Sequence, residues 1–106
     1  MKMITDSKTQ LAYFNFLKSR IFKIIPLLEE SNYGINNYVS SLIFELYGAQ
    51  DTIKSAHDCS DYVVILATLE SIRLNISSHD YSFHVVRKEV FKVLATIEKI
   101  MGRMEH

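Results

Sequence analysis

The chain has 106 residues and carries twelve basic and twelve acidic side chains, so its formal net charge is zero. Hydrophobic residues make up 48% and charged residues 23%, a balance that excludes a disordered chain. Three Gly and one Pro argue against a loop-rich all-β domain, and the length is that of one domain, residues 1–106.

The first helix is expected over residues 7 to about 30. Ser7 followed by Gln10 matches a capping box. Leu11, Phe14, Leu17, Ile21, Ile25 and Leu28 then recur in steps of three and four, the period of one helical face. Pro26 lies inside that pattern and predicts a kink or break between residues 23 and 26. The cluster Tyr13-Phe14-Phe16, beside Lys18, Arg20 and Lys23, is read as core rather than as a base-stacking strip.

The second helix is expected over residues 35–47, on Ile35, Tyr38, Val39, Leu42, Ile43 and Leu46. Gly48 is the expected C-cap, and Asp51 the expected cap of a short helix over 52–57. The third helix should follow Asp58 or Ser60 and reach residue 76, with Tyr62, Ile65, Leu69, Ile72 and Ile76 as its stripe. The β-branched run at residues 63–65 would suit a strand, but the helical period around it holds for about four turns. The fourth helix takes its cap from residues 77–80. Phe83, Val86, Val90, Val93, Ile97, Ile100 and Met104 then form a heptad-type seam. Short connections favour antiparallel neighbours, so the expected fold is an all-α, four-helix up-down bundle with its first helix kinked or broken near Pro26. The seam on the last helix also predicts self-association as a homodimer.

Charge is unevenly placed. Residues 1–28 hold five bases against Asp6, residues 29–80 hold eight acids against Lys54 and Arg73, and residues 81–106 hold five bases against three acids. The zero balance argues against a nucleic-acid partner. The acidic middle marks Glu45, Asp51, Asp58, Asp61 and Glu70 as the candidate contacts of a protein partner.

Lone Cys59 allows no intrachain disulfide and fits a reducing cytoplasm. No apolar run approaches the ~20 residues of a membrane span, and no leader pattern is present, so no membrane contact is expected. His57, Asp58 and Cys59 are metal-ligand types, but the third helix separates them from His79 and His84. No metal site and no cofactor are expected. Asp80 and His84, four apart, are read as helix-start residues.

Arg73-Leu74-Asn75-Ile76-Ser77-Ser78-His79 spaces an arginine and a histidine by five residues. This spacing resembles the Arg-x(4–6)-His signature of HEPN domains, with Leu74 where that family usually has a polar residue. The resemblance implies a dimeric ribonuclease in which Arg73 holds phosphate charge and His79 acts as acid or base. Apart from that spacing, no convergent polar site is legible. The leading expectation is a non-catalytic interaction module, from a bacterium, phage or other mobile element. Its size and helix pattern look like those of small immunity, antidote or inhibitor proteins.

Overall fold

A computed structural model describes residues 3–31, 33–78 and 80–104. Five helices follow in order: α1 (Ser7–Phe22), α2 (Ile24–Glu29), α3 (Ile35–Gln50), α4 (Ser60–Ile76) and α5 (Phe83–Met104). The α1–α2 pair is the expected first helix, interrupted at Lys23 and bent by only 14°. Pro26 explains the position. It has no N–H for the carbonyl of Phe22, four residues earlier, so the regular ladder ends there. Lys23 keeps right-handed helical angles and bonds back to Ser19, which is why the axis barely turns.

The start of α1 differs from the expected capping box. Asp6 is the N-cap; its carboxylate accepts from the Thr9 amide at 2.8 Å and the Thr9 hydroxyl at 2.6 Å. Those bonds hold the Asp6 carboxyl below the usual carboxylate range. Gln10 is instead buried, and its Oε1 accepts from both the amide and the hydroxyl of Ser55, at 2.9 and 2.6 Å.

The helix α3 runs three residues past the expected end. Gly48 is an ordinary helical residue, and Asp51 is the C-cap. No helix forms over 52–57. That segment is a chain of turns held from two sides, by Gln10 and by the extended start of the chain. Ile4 donates to Thr52 O and accepts from Lys54 N in an isolated parallel bridge. Ile53 and Ala56 are thereby buried under the end of the bundle. Left-handed backbone falls on Ser31, leaving α2, and on Asp58, just before α4 (φ 52° at both). The start of α5 is also displaced from the expected cap. The Ser82 hydroxyl, not Asp80, accepts from the Val85 amide.

Neighbouring helices are antiparallel. The pairs Lys18–Glu98 and Phe22–Phe91 join α1 to α5 in opposite senses, and Asp61–Arg103 with Asn75–Glu89 does the same for α4 and α5. Tyr62 of α4 donates to Leu46 O of α3 at 2.7 Å. Tyr38 of α3 donates to Arg20 O, the last turn of α1, at 2.6 Å. The order around the bundle is therefore α1–α2, α3, α4, α5, an up-down-up-down arrangement. One apolar core draws on all five helices. Nearly every residue of the expected stripes lies in it, with Leu11, Tyr38, Phe83 and Met104 partly buried at its edge. Phe16 departs from expectation: it is 62% exposed, with the Arg20 guanidinium 5.7 Å from its ring centre.

The α5 seam is consumed inside the molecule. Val86, Val90, Val93, Ile97 and Ile100 are all buried against the chain's own helices. The sequence pattern that predicted self-association is thus the pattern of an internal helix face.

Burial pushes the phenols of Tyr62, Tyr13 and Tyr38 above their ordinary value. The folded state holds these protons more tightly than the unfolded chain. Their contribution is complete below about pH 10 and is lost as the pH climbs further. The urea midpoint should fall as the pH rises above about 10, and Tyr62→Phe should flatten that fall. An unchanged midpoint would show that these phenols ionise freely in the fold.

Candidate functional site

Side-chain placement separates the acidic residues of the middle segment. Glu45 pairs with Arg20 of α1, Asp61 with Arg103 of α5 at 2.7 Å, and Glu70 with Arg73 one turn on at 3.0 Å. Only Asp51 and Asp58 lie together, on either side of His57 at the end of the bundle, at 4.0 and 3.4 Å from its ring nitrogens. Asp61 and Glu70 are nine residues apart on α4, half a turn out of phase, so they face opposite ways. The five acids are distributed over four places: Glu45 toward α1, Asp61 toward α5, Glu70 beside α3, and Asp51 with Asp58 at the bundle end.

Arg73 is engaged within its own helix, with Nε and Nη2 both donating to Glu70 Oε2 at 3.1 and 3.0 Å. His79, its proposed partner, lies outside the described residues. Cys59 is partly buried, and the Arg103 guanidinium lies 3.8 Å from its sulfur while also holding Asp61. No group of three or more His, Cys, Asp or Glu side chains able to hold a metal ion occurs among the described residues. No helix among them is long and apolar enough to cross a membrane.

The larger feature is apolar. On α3, Ser40, Phe44 and Tyr47 follow in steps of four and three. On α4, Val63, Ala67, Glu70 and Leu74 follow in steps of four, three and four. Each set is one stripe of its helix. These stripes lie outside the core-facing ones, and α3 packs beside α4, so they form one outer face. Phe44 is 81% exposed and Leu74 63%; Tyr47 and Val63 are each about half exposed. A shallow groove of about 270 Å³ runs between the helices, lined by Ser40, Ile43, Phe44, Tyr47, Glu70 and Arg73. The Glu70–Arg73 pair lines it, and Glu45 lines the adjoining hollow beside Ser40 and Phe44. Single exposed apolar residues are ordinary, but four on adjoining stripes of two packed helices are the pattern of a contact surface.

This face was partly legible in the sequence. Phe44, Tyr47, Val63 and Leu74 are among the apolar residues left over once the periodic stripes of their helices are assigned to the core; Val64 and Leu66 are left over too, and Leu66 is buried. The acidic residues are dense in sequence, and sequence density does not reveal that Glu45, Asp61 and Glu70 each face an arginine in the fold. A scan against protein-family models found no match to the chain, and comparisons with curated proteins and with solved structures found none either.

Proposed function

We propose that the chain is a non-catalytic interaction module of inhibitor, immunity or adaptor type, working in a reducing cytoplasm. It docks a protein partner on the α3–α4 face. The observation that carries this reading is the exposure of Phe44, Tyr47, Val63 and Leu74 around one self-neutralised ion pair. Such a face gains free energy by leaving water, at about 25 cal/mol per Å² of apolar surface covered. Its aromatic and aliphatic members are the side-chain types that anchor interfaces. The partner's matching surface is apolar, with a polar group placed to meet Glu70 or Arg73. Of the acidic residues, Glu70 belongs to this face and Glu45 borders it beside Phe44. Glu45 and Asp61 serve the fold, and Asp51 and Asp58 lie at the bundle end.

The test is affinity capture from source cells with the wild-type chain and with Phe44→Asp/Leu74→Asp, both after nuclease treatment. Both sites are exposed, so the variant should keep its stability to within about 0.5 kcal/mol per site. A stoichiometric protein held by the wild type and reduced at least about tenfold by the variant is the expected result. Equal recovery with both chains, or recovery of nucleic acid alone, would refute the reading.

A further inference from the structure

The side of the bundle opposite the α3–α4 face is built differently. There α1 and α5 lie side by side, and these are the two helices that carry the basic ends of the sequence. On α5, Lys88, Lys92, Ala95 and Lys99 follow in steps of four, three and four, one exposed stripe. None of these lysines makes an ion pair among the described residues, and neither does Arg87. The chain's other three arginines, Arg20, Arg73 and Arg103, are each paired with a carboxylate. The two described carboxylates of α5 are also committed. Glu89 accepts from Asn75, and Glu98 pairs with Lys18 of α1. Four cations of α5 are thus left without an ion pair among the described residues: the three lysines of this stripe, and Arg87, about 100° round the helix from Lys88 on the Phe91 side.

Beside this stripe lies an apolar shoulder. Phe22 of α1 and Phe91 of α5 meet edge to face with ring centres 6.3 Å apart, and both are exposed by two-fifths or more. Leu94 continues the shoulder into an open groove of about 370 Å³ between the two helices.

Two details select the occupant. The Arg87 guanidinium lies 4.9 Å from the Phe91 ring centre, so it covers a face on which a base would have to stack. The groove's own charges, Lys18 and Glu98, pair with each other at 3.3 Å, so its floor offers a continuous run of phosphates no net attraction. An α-helix carrying carboxylates at intervals avoids both obstacles. Lys88 and Lys92 lie about 6 Å apart along the axis and Lys99 about 10 Å further, spacings that one side of a second helix reproduces. We propose that the α1–α5 groove receives an acidic amphipathic helix of a protein partner. Its apolar side seats on Phe22, Phe91 and Leu94, and its carboxylates meet Arg87, Lys88, Lys92 and Lys99. This goes beyond the α3–α4 reading and does not depend on it. With both faces in use, the bundle bridges two partners.

The test is an NMR titration of the isotope-labelled full chain. The probes are a peptide of about 18 residues, five helical turns, with leucines on one side and glutamates flanking them, and the same peptide with lysine in place of glutamate. A third probe is a single-stranded oligonucleotide of equal charge to the acidic peptide. The acidic peptide should shift the signals of Phe22, Phe91 and Leu94, and binding should weaken as salt is raised. Lys88→Glu/Lys92→Glu should weaken it at least about tenfold and let the basic peptide bind. These side chains point into solvent, and an unchanged circular dichroism spectrum verifies the variant's fold. Absence of shifts with the acidic peptide would overturn the proposal, as would shifts mapping elsewhere or equal binding by the variant. Tighter binding of the oligonucleotide at the same residues would overturn it too, and would assign the strip to nucleic acid.

Discussion

Ile97→Ala is expected to lower folding stability by about 2–5 kcal/mol, and Leu42→Ala by a similar amount. Both side chains are fully buried. Ile97 lies in the α5 seam, and α5 packs on both α1 and α4, so a void there loosens two helix contacts at once. Ala is the better helix former, but that gain is only about 0.4 kcal/mol and does not offset the lost contacts. Leu74→Ala removes as many carbon atoms as Leu42→Ala from an exposed site, and should change stability by less than about 0.5 kcal/mol. Urea unfolding at unchanged m-value measures all three. A cost below about 0.5 kcal/mol at Ile97 would mean that the seam does not face the core.

Gln10→Ala should have the next largest effect, about 1–3 kcal/mol. One amide oxygen serves two donors of Ser55, across 45 residues of sequence. Its removal leaves the Ser55 amide and hydroxyl without a protein acceptor and frees one of the two attachments of the turn segment before α4. The other attachment, the Ile4–Ile53 bridge, remains. The loss should therefore appear as faster hydrogen exchange at the Ser55 amide as well as lower stability. Ser55→Ala removes only the hydroxyl bond and should cost about 0.5–1.5 kcal/mol. A neutral Gln10→Ala with unchanged Ser55 protection would show that the turns are held by Ile53 and Ala56 burial alone.

These two sites mark what a reader of the sequence can and cannot see. Ile97 sits in a seam whose steps of three and four declare the helix and its buried side, and the stripes of α1, α3 and α4 are equally plain. Pro26 likewise announces where the first helix must be interrupted, since the lost donor is a property of the residue itself. Gln10 carries no such signal. Its position after Ser7 suggests a local cap, yet Asp6 already supplies that bond to Thr9, and the glutamine amide turns to a loop 45 residues away. The turns over 51–59 were illegible for the same reason: they are shaped by contacts with the chain start and with Gln10, not by local period. Gly48 shows the converse error. Glycine permits a left-handed C-cap but does not require one, and α3 continues through it because Ala49 and Gln50 remain good helix formers.

The two proposed surfaces differ in the same way. Charge totals by segment drew attention to an acidic middle, but antiparallel packing places Arg20 beside Glu45 and Arg103 beside Asp61 and neutralises much of it. On α5 the total is smaller, yet Arg87, Lys88, Lys92 and Lys99 keep no ion-pair partner among the described residues. The apolar remainder on α3 and α4 is visible only after the core is subtracted.

The most direct test of the docking reading is photo-crosslinking in source cells. A photoreactive phenylalanine analogue is placed at Phe44, and in a separate sample at exposed Ala12 on the outer side of α1. The α3–α4 account predicts one discrete protein adduct from position 44 and none from position 12. No adduct at 44, or the same adducts at both positions, would contradict it.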